Sequence, residues 1–591
     1  MEYQMKRASI FAFALVLLLC VASMVKAQNV RPSYPVADPG FAYVDVNNDG
    51  MYNPADGDIA LTGSRDLTVL TAANHGVFNT QQSVGAYVAP KYPASLIIPP
   101  SVTDLMFTVP TTIKAGLNIV IAGTVNAPSL TLLGYGSGYH PSLAPSSFSC
   151  SAGDDSWGGQ SGEDCNHGCG SCISIRSLSP NMGVECDQPY YSVGKIDLTN
   201  GTINFNDQFR AEIGGDIIIN GATVTGYGDL SDIMISAGGK LYGNPSTKLQ
   251  SSLFSFGNLT LGATKGVNLS GASLGNVNNP SNMLIGAIGP VSITNQSDIA
   301  TYGGGNITIY SLCDNVTLTN SDLIGGNITC SSGREMNVSG SVINTAGNLT
   351  FKSNHYFYSS TSGETSIADG CDKYHPDEDN SCRTECFGSG GSGNEDWCIH
   401  ESKITATNLT VTVHSGNMNV KSPGSIDMSG SVITVSNGAL KIRSEYGQVT
   451  LTSGSFDSSG GISAYARRDL LADSLKLAAD QMISLKSKYG KVSAVSSIIN
   501  PYTIGLNAVT ATGISVSAGE GGVDCDMAKW MIPAFMSFIS KADISATNGT
   551  FDVTNPNGTI AFTAFGGLID VTNSNLIGTA SYSPSGVTVK Q

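Results

Sequence analysis

Short alternating runs dominate this chain. Asn306-Ile-Thr-Ile-Tyr310 and Asn315-Val-Thr-Leu-Thr319 place apolar, often β-branched residues at every second position, with small polar residues between them. Such period-two alternation reads as a strand buried on one face. Gly, Asn, Ser and Asp, residues that favour turns, separate the runs. From about residue 195 to 525, no stretch long enough for a helix carries a 3.6-residue apolar period.

The runs themselves recur. Gly304-Gly-Asn-Ile-Thr308 returns as Gly325-Gly-Asn-Ile-Thr329, and Ala346-Gly-Asn-Leu-Thr350 echoes it, so Asn306, Asn327 and Asn348 stand 21 residues apart. Arg443-Ser-Glu-Tyr-Gly-Gln-Val449 recurs 43 residues later as Lys486-Ser-Lys-Tyr-Gly-Lys-Val492, two units of about 21.5. Leu318-Thr-Asn-Ser-Asp-Leu-Ile-Gly325 recurs as Val571-Thr-Asn-Ser-Asn-Leu-Ile-Gly578. A fixed period of this size marks a solenoid, propeller or array. Two or three short strands with turns in about 21 residues make one coil of a parallel β-helix. The expected fold is therefore all-β: a right-handed parallel β-helix, its hand taken from the general rule for parallel crossovers. Strand formers fill the whole unit and the Leu-x-x-Leu-x-Leu phrase is absent, which sets leucine-rich repeats aside. Phrases at a fixed spacing argue against a β-sandwich array.

The N-terminus carries a processing signal. Lys6 and Arg7 precede an apolar run from about Ile10 to Val21, and Val25-Lys26-Ala27 forms a small-residue cleavage site. This reads as a secretory signal peptide over 1–27. The run is short for a membrane span, and no later stretch reads as one. Removing three cations (Lys6, Arg7, Lys26) and one anion (Glu2) takes the formal charge from −16 to −18. That balance argues against nucleic acid or anionic lipid as a partner and is compatible with calcium.

Cysteines then mark two insertions. Cys150, Cys165, Cys169, Cys172 and Cys186 form one cluster; Cys371, Cys382, Cys386 and Cys398 form another. Both interrupt the repeat and are rich in Gly, Ser and Asp, so loops are expected at about 138–192 and 354–402. In a secreted chain, clustered cysteines read as disulfides that staple loops with little core of their own. The segment Cys165-Asn-His167-Gly-Cys169-Gly-Ser-Cys172 also has zinc-ligand spacing. Five cysteines in the first loop cannot all pair locally, so one must reach Cys525, the other loop or another molecule. Cys313 and Cys330 lie in neighbouring repeats and could bridge coils.

The region before the repeats, 28–100, holds one motif. Asp45-Val-Asn47-Asn-Asp49-Gly50-Met51-Tyr-Asn53-Pro-Ala-Asp56 has oxygen-bearing side chains at positions 1, 3, 5, 9 and 12 of a twelve-residue loop, with Gly at position 6 for the sharp turn. Asp45, Asn47, Asp49 and Asp56 are expected as direct calcium ligands. Met51 would offer its carbonyl, and Asn53 a direct or water-mediated contact. The loop resembles the dockerin and extracellular EF-hand-like calcium repeats, which share Asp-x-Asn-x-Asp-Gly and the final Asp. The resemblance implies a structural calcium ion and covers these twelve residues. A dockerin carries a second loop that this chain lacks, so cohesin binding does not follow.

Twelve Asn-x-Ser/Thr sequons are candidate glycan acceptors: Asn200, Asn258, Asn268, Asn295, Asn306, Asn315, Asn327, Asn337, Asn348, Asn408, Asn548 and Asn557. Several fall inside the repeat phrase itself, where a stacked ladder of side-chain amides is the competing reading.

Catalytic groups are sparse in the repeats. Asp216, Asp314, Asp322, Asp427, Asp552 and Asp570 stand singly, and His414 is isolated. Arg467-Arg468-Asp469 beside Tyr465 is the densest polar group, which a solvated turn explains. The polygalacturonase-like phrases Asn-Thr-Asp and Gly-His-Gly are absent. Met527–Ser540, with Trp530, Met531, Phe535, Met536 and Phe538, is unusually apolar and reads as a cover for a coil or as a partner patch. In architecture the repeats resemble secreted β-helical adhesins of the filamentous-haemagglutinin type. Together these readings imply a non-enzymatic extracellular structural protein, either a surface adhesin or a filament or matrix subunit. Its expected partners are copies of itself, other surface proteins or glycans. The alternative is a β-helix that binds or cleaves carbohydrate.

Overall fold

The computed structural model describes residues 38–134, 194–250, 257–276, 282–301, 304–312, 314–353, 356–359, 397–400, 402–499, 513–532, 534–553, 558–583 and 589–590. The chain divides after Tyr34, and everything described belongs to the unit from Pro35 to Gln591. The signal-peptide reading therefore falls outside the described residues. So do Cys150, Cys165, Cys169, Cys172, Cys186, Cys313, Cys371, Cys382, Cys386 and Asn557.

The described chain winds as an all-β parallel solenoid of about 14 turns, with about 24 residues per turn. One coil shows how the pattern folds. Ile404–Thr405, Thr410–Val413 and Met418–Ser422 are its three strands. Each pairs in parallel with its counterpart one coil on: Ile404 with Ile426, Thr410 with Val432, Met418 with Leu440. Alternate residues of the longer strands point inward and are buried. The inward positions stack in register as Ile307, Ile328, Leu349, Met418, Leu440, Ile462, Ile483, Ile514, Met536 and Ile560. One hydrophobic cluster runs from Ala42 to Val571.

The coil length corrects the period read from the phrases. Ile307, Ile328 and Leu349 face one another at spacings of 21 residues, but Ile233 faces Leu259 at 26 and Leu259 faces Met283 at 24. The most similar phrases come from the tightest coils, so they understate the mean.

The first corner of a coil needs a left-handed residue. Asn200, Asn408, Ser453, Ser474, Ser496, Asn548 and Asn573 occupy it with φ between 52° and 59°. Asn tolerates this conformation best among side-chain-bearing residues, and Gly adopts it freely. Gly430 holds the same corner at φ 69°, and a Cβ there would stand 2.5 Å from the Asn408 Oδ1 of the preceding coil. Glycine there avoids both the left-handed strain and the close approach.

The ladder begins earlier than residue 101. Val77–Asn79 already pairs in parallel with Thr111–Lys114, and Ser95–Ile98 with Ile119–Ile121. Tyr43–Asp45 lies antiparallel to both Ile59–Ala60 and Ser95–Ile98. A helix, Leu67–Ala73, is capped by Asp66, whose Oδ1 accepts the Thr68 N–H, and it buries Leu67 and Leu70. Residues 42–98 thus close the first coil and share its core instead of forming a separate region.

Both insertions leave the ladder intact. Ile119 pairs with Ile196 and Thr124 with Thr202, so the chain leaves near 134 and re-enters one coil on. Met336 pairs with Ile404 and Leu349 with Met418 across the second insertion. Tyr356–Ser359 and Trp397–His400, the strand holding Cys398, pair antiparallel at its base.

Alternate residues of Met527–Ser540 are core, while Met527 and Met531 stay 55% and 49% exposed. The segment supplies the strands Lys529–Ile532 and Phe535–Ser540, with Trp530, Met536 and Phe538 at 0% exposure. Trp530 stacks on Phe538 at 5.2 Å, Phe538 on Phe562 at 4.8 Å, and Phe562 on Tyr582 at 5.6 Å. The inward column is aromatic here because wide side chains fill the lumen.

Candidate functional site

Loop 45–58 is held by side-chain oxygens on backbone N–H groups. Asp45 is fully buried; its carboxylate accepts from Asn48 N at 2.7 Å and from Gly50 N at 2.8 Å. Gly50 turns the chain with φ 80°, and its carbonyl accepts from the Tyr43 hydroxyl at 2.9 Å. Asp49 Oδ1 accepts from Met51 N at 2.7 Å, and Asn53 Oδ1 from Ala55 N at 3.1 Å. The carboxylates of Asp49 and Asp56 converge on one amide: Asn47 Nδ2 donates to their oxygens at 3.0 and 3.4 Å. Asn53 Nδ2 donates to the same Asp56 oxygen at 2.7 Å.

The sequence thus brings Asp45, Asn47, Asp49, Asn53 and Asp56 together around one turn. Among the described residues no group of three or more acidic, His or Cys side chains is gathered tightly enough to grip a metal. The oxygen donors are nevertheless those that a hard cation takes. Turning the Asn47 amide about its last torsion would offer oxygen instead of NH2 to a cation between Asp49 and Asp56. Sequence reasoning missed Asp58. It is 7% exposed and joins the two ends of the loop, accepting from Val46 N and Asn53 N at 2.8 Å each.

The cysteine reading is corrected at two positions. Cys330 and Cys525 are unbridged and fully buried. Cys330 stands in the inward column between Ile309 and Phe351. Burial pushes its thiol up to about 12, and burial also raises that of Cys525 well above the ordinary range. Each acts as a small apolar side chain.

The repeat asparagines build a ladder. Asn282 N donates to Asn258 Oδ1, Asn306 N to Asn282 Oδ1, Asn327 N to Asn306 Oδ1, Asn348 N to Asn327 Oδ1 and Asn417 N to Asn348 Oδ1, at 2.8–3.4 Å. Four of these asparagines are sequons, namely Asn258, Asn306, Asn327 and Asn348, and all four are exposed. Asn200, Asn295, Asn408 and Asn548 are exposed at corners, while Asn268, Asn315 and Asn337 are half-buried.

Several single aspartates serve the backbone too. Asp216 Oδ1 accepts from Lys240 N in the next coil at 2.8 Å. Asp427 and Asp570 accept from the backbone of Ser429 and Thr572. Asp322 faces Asp298 in register, and burial followed by the Asp322 charge raises the Asp298 carboxyl. His414 Nε2 meets Asn344 Oδ1 at 2.8 Å.

A different group emerges only from the register. Lys352, Lys421, Arg443, Tyr465 and Lys486 form one outward row across five coils. At the adjoining corner the Arg467 guanidinium lies 4.9 Å from the Tyr446 ring centre and 5.4 Å from that of Tyr489. The Tyr489 hydroxyl is held below its ordinary range, first by its hydrogen bond with Lys488 and then by the charges of Lys488, Arg467 and Lys541.

No family model, curated protein or solved structure matches this chain. Among the described residues no helix is long and apolar enough to cross a membrane.

Proposed function

We propose that the chain is a secreted, non-enzymatic structural protein, a stiff rod serving as a surface adhesin or as a subunit of an extracellular filament or matrix. The observation that carries this reading is the single unbroken core from Ala42 to Val571 beneath outward faces rich in Ser, Thr and Asn. A column of about 14 rungs spaced ~4.8 Å apart is roughly 65–70 Å long. Exposed asparagines such as Asn306, Asn327 and Asn348 join one rung to the next, which favours mechanical over catalytic use.

Self-association is favoured by the last long strand. Thr579–Ser583 pairs with Thr559–Ala564 on one side, and its residues are exposed or half-exposed throughout. Among the described residues no strand pairs with its other edge, and an open edge accepts a further rung, from a second copy as readily as from more chain. Calcium is assigned to the loop as a structural ion, held by Asp45, Asn47, Asp49, the Met51 carbonyl, Asn53 and Asp56. It would fasten the cap over the first coil.

Negative-stain microscopy of native secreted material tests the proposal. Rods, alone or end to end, are expected on the cell surface or in the medium. Compact globular particles retained inside the cell would refute it.

A further inference from the structure

We propose that the cationic, tyrosine-bearing face of the later coils binds a linear polyanionic glycan, a chain of carboxylated or sulfated sugars laid along the solenoid axis. This site is independent of whether rods assemble end to end.

The face combines three features. The first is the in-register row of Lys352, Lys421, Arg443, Tyr465 and Lys486, in which all four cations are exposed. The second is the corner beside it, where Arg467 is sandwiched by Tyr446 and Tyr489, and Lys488 lies 4.8 Å from the Tyr489 ring centre. The third is an open groove of about 480 Å³ that continues the row. Lys486, Lys488 and Lys541 line it, and Phe565, 67% exposed, forms its apolar wall.

One acid, Glu445, offsets the middle of the row, and the groove end is left positive. Glu445 pairs with Lys421 at 2.9 Å and lies 4.0 Å from Arg443. The Asp469 Oδ1 accepts from the Lys491 backbone N–H at 2.9 Å. Lys486, Lys488 and Lys541 have no ion pair among the salt bridges of the described residues. The molecule as a whole carries −16, so a positive strip on it is a local exception. Charge complementarity therefore selects an anionic partner.

The geometry selects its kind. Cations recur in register at multiples of the ~4.8 Å rung spacing: Lys352, Lys421 and Arg443 stand on consecutive rungs, and Lys486 two rungs beyond Arg443. An extended glycan with one charge per sugar presents anions at a comparable pitch. Duplex DNA carries one charge per ~1.7 Å of axis and calls for a broader, denser basic surface. Phe565 offers exposed ring surface beside the cations, while Arg443 packs on Tyr465 and Arg467 and Lys488 pack on Tyr489. Aromatic faces pack against the C–H faces of sugar rings, so charge and shape point to the same ligand. The rigid ladder keeps the row straight without the entropy cost of ordering a loop.

The test is calorimetric titration of the purified full-length secreted protein at low salt with three probes: heparin oligosaccharide, oligogalacturonate and a single-stranded oligodeoxynucleotide. Binding of at least one glycan is expected, weakening as salt rises. K486E/K488E/K541E should weaken it by at least about tenfold, as charge reversal at three contacts implies. K240E/K248E/K265E, which reverses three exposed lysines on earlier coils, should leave it within about twofold. Should the reversal triple misfold by circular dichroism, K488Q/K541Q with Y489A replaces it and should still lose several-fold. The proposal is overturned if neither glycan binds, if both triples lose affinity equally, or if the oligodeoxynucleotide binds as tightly as the better glycan.

Discussion

The backbone N–H of Asn348 donates to the side-chain Oδ1 of Asn327 at 2.8 Å, tying one coil to the next at an exposed corner. Asn327 in turn donates its Nδ2 to Asn306 Oδ1 at 2.9 Å. Replacing Asn327 by Ala removes both bonds and should cost about 1 kcal/mol, since each exposed bond contributes less than a buried one. Chemical denaturation monitored by far-ultraviolet circular dichroism measures it; a change below experimental error would show that the ladder is decorative.

The same ladder limits glycosylation. Asn306, Asn327 and Asn348 are one rung apart, ~4.8 Å, which leaves no room for glycans on adjacent rungs. Glycopeptide mass spectrometry of secreted material should find no molecule modified at both Asn306 and Asn327, or at both Asn327 and Asn348. Corner sequons such as Asn200 and Asn408 should be occupied more fully.

The aromatic column holds the later coils. Phe538 stacks between Trp530 and Phe562 at 5.2 and 4.8 Å with no exposure. Phe538→Ala should destabilise by about 3–5 kcal/mol. Trp530 emission should shift to the red if the coil loosens. An unchanged melting curve would contradict the packing described.

The two inward thiols should be silent. With the Cys330 thiol pushed up to about 12, and that of Cys525 also raised well above its ordinary range by burial, neither forms thiolate near neutral pH. Alkylation under native conditions followed by peptide mapping should leave Cys330 and Cys525 unmodified, and both should react in denaturant. Native labelling of either would place it outside the core.

The loop at 45–56 should take a trivalent stand-in for calcium. Tyr43 contacts the loop through Gly50, and its ring is 5.5 Å from that of Tyr52. Terbium in the loop should therefore glow on tyrosine excitation, and calcium should quench the signal by displacement. Asp49→Ala and Asp56→Ala should each weaken binding at least about tenfold, because each removes a charged ligand. Terbium emission in both variants equal to that of the unchanged protein would rule the loop out as the site.

Asp298 gives a pH-dependent outcome. Burial first and Asp322 second raise its carboxyl above 3.8 in the folded chain. The folded state then holds more protons than the unfolded state in the window just above 3.8, so this residue's contribution falls as pH rises through that window. Asp298→Asn should raise the melting temperature at pH 7, and the gain should disappear below the ordinary carboxylate range. A loss of stability at pH 7 would reverse the assignment.

The alternating runs around Asn306 and Asn327 made strands and parallel stacking readable, because inward and outward residues differ in chemistry. Coil length was read short, since Ile233 to Leu259 needs 26 residues and carries no repeated phrase. The cap was missed because Leu67–Ala73 is a single short helix with too few turns to show a period. Met527–Ser540 was ambiguous because apolar residues describe both a core and a patch, and only burial separates them. The turn that gathers Asp45, Asn47, Asp49, Asn53 and Asp56 was readable as a contiguous phrase, apart from Asp58 just beyond its end. The cationic row was invisible because Lys352 and Lys421 are 69 residues apart in sequence and adjacent only through register. Writing the chain one coil per line would have exposed it.

The most direct test of the stacked-rung account is a set of electron–electron distances between spin labels on one outward row. Asn419, Ser484, Ser537 and Ser581 lie on the same row, with Ser484, Ser537 and Ser581 three, five and seven rungs beyond Asn419. Labels paired with position 419 should separate in steps proportional to rung number, at about 14, 24 and 34 Å for a ~4.8 Å rise. Distances that fail to grow in that proportion would contradict a single continuous ladder.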